Sequence, residues 1–218
     1  ADFSISFVND LNKLAPYYTS LSNPYSASYS KKLTSVLADM KLLGFDLTHP
    51  ILIAGFKYLR ENENELFKLT RLCLNFLVRY ILVLKEKPTS VQKQIAQVAR
   101  ALRSDISIVS ELFAGFAKDS EFKEEFKTLS VNPKSDSTYF ILTEYEKTLH
   151  IDNWQAPNRA EIEVEHILPQ KVNFSNVKPP DAWALLYTKE EFEVYLNRLG
   201  NLTLLGPKAN KKGGNKPF

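Results

Sequence analysis

His166 is the residue from which the chemistry of this 218-residue chain is best argued. It stands in an alternating run, Ile162-Glu163-Val164-Glu165-His166-Ile167-Leu168, behind three acids (Glu161, Glu163, Glu165) and ahead of Pro169. Asparagines follow at 201, 210 and 215, in a stretch from Arg198 to Phe218 with five basic residues and no acidic one. These are the parts needed to hydrolyse a phosphodiester. A neutral imidazole deprotonates water near neutral pH, and an oxygen-bound cation neutralises charge on the reacting phosphate. With one cysteine, Cys73, and no second histidine near 166, the available ligands are carboxylate, amide oxygen, water and phosphate. That hard set suits Mg²⁺, or another divalent ion such as Mn²⁺, better than Zn²⁺. Lys208, Lys211, Lys212 and Lys216, with Asn215 among them, are the candidate contacts to a phosphate backbone.

The remaining titratable candidates have plainer roles. His49 sits beside Pro50 at a helix start, and His150 lies where a helix ends and a cation is favourable. A lone Cys73 excludes an intramolecular disulfide framework and any CxxC zinc site. No signal peptide and no apolar run of about 18 residues is present, which reads as a cytoplasmic protein with no membrane partner. The net charge of +3, from 28 basic and 25 acidic residues, is too small to identify a nucleic-acid partner by itself.

Two kinds of chain must position these residues. From Tyr25 to Ala156 proline and glycine are scarce and apolar residues recur at helical spacing. Leu33, Val36, Leu37, Met40 and Leu43 form one such stripe ending at Gly44, Thr48 caps a helix near Pro50, and a central helix is expected over about 63–84. Further helices are expected near 91–103, 106–117, 120–129 and 137–149. After His150 the pattern changes. A connector with Trp154 and Pro157 precedes a strand expected over 162–168 and ended by Pro169, a capping box at Thr188 opens a short helix, and Leu202-Thr203-Leu204-Leu205 reads as a second strand. The expected fold is mainly α: a helical domain over 1–155, then a small α+β domain over 156–218. Four of the seven glycines (Gly200, Gly206, Gly213, Gly214) fall in that second part. Trp154 and Trp183 read as core anchors, and Lys93, Arg100 and Arg103 as a solvated helix face rather than a guide for DNA.

The segments Glu165-His166-Ile167-Leu168-Pro169-Gln170, Gly200-Asn201-Leu202-Thr203-Leu204-Leu205, Asn210 and Gly214-Asn215 together resemble the HNH nuclease motif, also called ββα-metal or His-Me finger. Their wording is similar to the C-terminal domain of GmrSD-type, modification-dependent restriction enzymes, a group that includes SspE and BrxU-like phage-defence proteins. The resemblance spans about Glu161 to Phe218, with weaker landmarks at Leu74–Arg79 and Ile141–Glu146, and the 35 residues from His166 to Asn201 imply an insert. It implies that His166 is the general base, that Asn201 holds the loop and the His166 ring, and that Asn210 on a final helix is a metal ligand. Glu165 would be the acidic ligand. Adjacent strand residues face opposite sides, so Glu165 and His166 reach one ion only if the strand ends or bulges there.

The implied activity is metal-dependent nicking or cleavage of modified or foreign duplex DNA, with a nucleotide-hydrolysing sensor domain N-terminal to this chain or on a partner. No Walker-type phosphate loop occurs here, and the sequence reads as a C-terminal fragment. Other readings are a helical DNA- or protein-binding module with a weak HNH fold, and an RNase or toxin-like nuclease.

Overall fold

The computed structural model describes residues 2–26, 28–149, 159–175 and 181–206. The architecture is mainly helical with one small antiparallel sheet, as the sequence predicts. The chain forms two compact units, residues 1–126 and 127–218.

The first unit is built from α1 (Asp2–Ser22), α2 (Lys31–Leu42), α3 (His49–Leu59), α4 (Glu63–Leu77), α5 (Gln92–Ala101), α6 (Ser107–Phe116) and most of α7 (Asp119–Lys127). Local signals set their ends. The Ser30 side chain accepts from the Leu33 amide at 3.4 Å to start α2. At its other end Gly44 takes φ +65° while the Phe45 and Gly44 amides donate to the Met40 and Lys41 carbonyls, the double bond of a Schellman cap. Thr48 precedes α3 as expected, but its hydroxyl makes no capping bond. The apolar faces of α2, α3 and α6 converge on α4, whose Leu66, Leu69, Cys73, Phe76 and Leu77 are buried, and α5 packs against α3 and α6. Gly55 permits close approach of α3 and α4, since a Cβ there would run into Leu69 Cδ2.

The central helix does not run regularly to residue 84. It widens into a π-helical turn over Val78–Val83, with the Leu84 amide reaching back five residues to Arg79. The widened turn keeps Tyr80 in the core, stacked 5.0 Å from Phe76, while Arg79 donates to the Ala117 carbonyl at 2.7 Å and pairs with Asp119. Hydrogen bonding to Arg79 holds the Asp119 carboxyl below its ordinary value. Arg103 likewise serves its own helix end, donating to the Arg100 and Leu102 carbonyls and lying over the Tyr58 ring.

The second unit holds α8 (Asp136–Leu149), β1 (Glu163–His166), α9 (Lys189–Leu196) and β2 (Leu202–Leu205). The division falls upstream of the predicted connector because α8 packs against β2 and residues 129–131 bond to residues 197–199. Leu199 donates to the Leu129 carbonyl at 2.9 Å and Val131 to the Asn197 carbonyl at 2.9 Å. Arg159 leads into β1, its guanidinium 5.0 Å from the Tyr139 ring of α8 and donating to the Ile162 carbonyl. The Thr188–Glu191 capping box is formed in full at the start of α9. Trp183 is half-buried rather than a core anchor, and Trp154 and His150 lie outside the described residues. Among the described residues no helix is long and apolar enough to cross a membrane.

Candidate active site

The site begins with the ladder that carries His166. β1 and β2 pair antiparallel in the register Glu163↔Leu205, Val164↔Leu204, Glu165↔Thr203, His166↔Leu202. The register is uninterrupted through His166, so alternation turns Glu165 to the face opposite His166. The bulge that would bring both to one ion is not there. The strand is also shorter than the alternating run suggested, ending at His166 instead of continuing through Leu168.

Asn201 explains that early end. It is 7% exposed, and its carboxamide is satisfied at both ends. Oδ1 accepts from the Leu168 amide at 2.8 Å, Nδ2 donates to the Leu196 carbonyl at 2.8 Å, and its own backbone carbonyl accepts from Ile167 at 2.9 Å. One side chain therefore ties the exit of β1 to the last turn of α9. The expected loop-holding role is where the sequence put it. The expected bond from Asn201 to the His166 ring is not; the ring is held by two residues that sequence reasoning did not single out.

Asn197, the residue that ends α9, presents Oδ1 3.4 Å from His166 Nε2. Gln170, four residues beyond the histidine, presents Nε2 3.2 Å from Nδ1. Asn197 and Gln170 are exposed while the imidazole between them is half-buried. The position of Asn197 is itself fixed, because its carbonyl accepts from the Val131 amide and from Ser130 Oγ at 3.2 Å. The insert between the strands is closed on itself by Asn173, whose amide donates to Asp181 Oδ2 at 2.7 Å, and is filled by Phe174 against Phe192. The sequence offers no more for Asn197 than its place at the end of the helix predicted from the capping box, four residues before Asn201.

Among the described residues no three His, Cys, Asp or Glu side chains gather where they could hold a metal ion. The described part supplies an imidazole and carboxamide oxygens, which do not make a metal site by themselves. Asn210, Asn215, Lys208, Lys211, Lys212 and Lys216 lie outside the described residues.

Residues 116–218 match the profile of the GmrSD restriction endonuclease C-terminal domain. This part of the chain is a GmrSD-type C-terminal domain. The matched GmrSD region takes in all of the second unit and begins at the end of α6, so α8 and the 129–131 segment belong to the same family domain as the histidine. None of the curated proteins compared with the chain matches it significantly.

Proposed function

We propose that the GmrSD-type domain is a metal-dependent HNH endonuclease or nickase acting on DNA within a bacterial restriction or phage-defence system, with His166 as general base. The observation that carries this reading is the placing of His166: it is held at both ring nitrogens, on a strand exit clamped by a buried asparagine, inside a restriction-endonuclease family domain. A surface histidine with no task has no need of such fixing.

In this reading the imidazole takes a proton from a water molecule as that water attacks the phosphorus. Asn201 keeps the strand exit in place during the attack, so that the distance from base to water does not drift; misplacement by about 1 Å can cost a hundredfold in rate. A divalent cation, Mg²⁺ or Mn²⁺, would neutralise charge on the phosphate and leaving oxygen. Asn210 is the proposed ligand, with Glu165 as the proposed acidic ligand beside the point where the strand ends at His166. Lys208, Lys211, Lys212, Lys216 and Asn215 are proposed to contact the DNA backbone. The duplex is proposed to be modified or foreign, recognised by a nucleotide-hydrolysing sensor domain N-terminal to this chain or on a partner, in the cytoplasm.

Plasmid nicking with Mg²⁺ or Mn²⁺ tests the assignment. His166→Ala should lower the rate by about 10²–10⁴-fold, the usual contribution of a general base, with DNA binding retained. Unchanged nicking by His166→Ala would remove the base from the proposal. Parallel reactions on RNA, single-stranded DNA and duplex DNA separate a DNA enzyme from an RNase, and salt-sensitive binding without cleavage under any divalent ion would leave only a binding module.

A further inference from the structure

The two groups that hold the His166 ring present opposite halves of a carboxamide. Asn197 offers Oδ1 to Nε2, and Gln170 offers Nε2 to Nδ1. A carboxamide oxygen can only accept, and a carboxamide NH₂ can only donate. Asn197 therefore requires the hydrogen on Nε2 of the ring, and Gln170 requires the lone pair on Nδ1. The two amides come from opposite ends of the insert, 27 residues apart in sequence, and they demand the same tautomer.

We propose that Asn197 is a positioning residue that fixes His166 as its Nε2–H tautomer and so makes Nδ1 the nitrogen that accepts the proton of the attacking water. The inference rests on the nuclease reading of His166 and adds to it which nitrogen reacts and what selects it. Asn197 is suited to the task because its backbone is anchored by Val131 and Ser130 while Leu196, just before it, is held by Asn201. Its oxygen is thus a fixed acceptor rather than a mobile surface group. Gln170 is the replaceable partner. It is exposed, it follows the turn at Pro169, and its NH₂ can leave Nδ1 for a phosphate oxygen when substrate arrives.

The step balances as follows. The water O–H bond breaks, its proton goes to Nδ1, and the freed electron pair forms the new P–O bond. The bond from phosphorus to the leaving oxygen breaks with its electron pair, and that oxygen takes a proton from solvent. His166 ends as the imidazolium, whose Nε2–H bond to Asn197 Oδ1 becomes charge-assisted and stronger. The interaction grows as the reaction proceeds, which favours the transition state over the ground state.

Two-bond ¹H–¹⁵N correlation spectra of the uniformly labelled full chain distinguish protonated from unprotonated imidazole nitrogens. His166 should show a protonated Nε2 and an unprotonated Nδ1. Asn197→Leu should mix the two tautomers and lower kcat for nicking by about 10- to 100-fold, the scale for losing a group that orients a reactive side chain, with KM for DNA and Tm little changed. Asn197→Asp keeps an acceptor oxygen and should restore the tautomer and most of the rate. A protonated Nδ1 in the wild-type protein, or an unchanged tautomer in Asn197→Leu, overturns the proposal even if DNA is nicked. A tautomer that depends on Asn197 in a protein that nicks nothing supports the positioning and removes the nuclease reading instead.

Discussion

Replacing Asn201 is the most direct test of how the strand exit is held. In Asn201→Ala the Leu168 amide loses an acceptor at 2.8 Å and the Leu196 carbonyl loses a donor at 2.8 Å. Leu168 is 6% exposed, so water does not readily replace the lost acceptor. A buried unsatisfied amide costs about 1–3 kcal/mol and loss of an ordinary hydrogen bond at the half-buried carbonyl about 0.5–1.5, giving about 2–4 kcal/mol together. For a chain of this size that corresponds to a fall in Tm of roughly 5–15 °C. Hydrogen exchange supplies a local readout: the Leu168 amide should exchange about 30- to 1,000-fold faster than in the wild type, ahead of amides in α4. Asn201→Asp sharpens the argument. It keeps an oxygen for Leu168 but turns an anionic oxygen toward the Leu196 carbonyl, so it should be at least as damaging as alanine. Wild-type stability and exchange in Asn201→Asp would refute the view that both halves of this carboxamide are needed.

Other expectations concern the first unit. Phe76 is 2% exposed and stacks 4.0 Å from Phe113 and 5.0 Å from Tyr80, so Phe76→Ala should cost about 3–5 kcal/mol in urea unfolding; a loss below about 1 kcal/mol would contradict the central place given to α4. Burial pushes the Cys73 thiol up to about 12, which predicts that a thiol reagent at pH 8 labels the chain only after unfolding. Rapid labelling of the native protein would show the α3–α4 core to be open. Burial lowers the pKa of His49 against the raising effects of Asp46 and the Phe45 backbone. The unfolded chain therefore takes up this proton more readily, so the His49 contribution to stability is intact above the ordinary value of 6.5 and is lost as pH falls through the lowered folded value. His49→Gln should flatten that decline in thermal unfolding measured from pH 7 downward, and an unchanged slope would assign the decline to other groups.

Much of the scaffold could be read from local signals. The Gly44 stop, the Thr188 capping box and the strand Leu202–Leu205 each depend on residues within a few positions of one another, and each is found where the sequence puts it. The histidine was legible for a similar reason, since a β-branched alternating run ending at a proline marks a strand exit. What escaped depends on contacts distant in sequence. The shorter β1 is set by Asn201, 35 residues after His166, and the ring partner Asn197 looks from sequence like any polar residue at a helix end. The π-helical turn at Val78–Val83 escaped because the apolar spacing through it remains compatible with an α-helix, and the groups that use it, Ala117 just after α6 and Asp119 at the start of α7, lie more than 30 residues on. Glu165 was read correctly as a strand residue, in a regular ladder that ends one residue later at His166.

The pairing of residues 129–131 with 197–199 bears on how this domain could be exchanged between proteins. A transplant cut at the change in composition near residue 155 would carry both strands, α9 and the histidine. It would leave behind the Leu129 carbonyl that Leu199 donates to, and the Val131 amide and Ser130 hydroxyl that hold the Asn197 carbonyl. The transplanted histidine would keep its strand and lose the anchorage of its ring partner. Recombination that preserves activity should therefore cross over ahead of Leu129, which makes the helix α8 a hereditary companion of the nuclease motif rather than part of the scaffold before it.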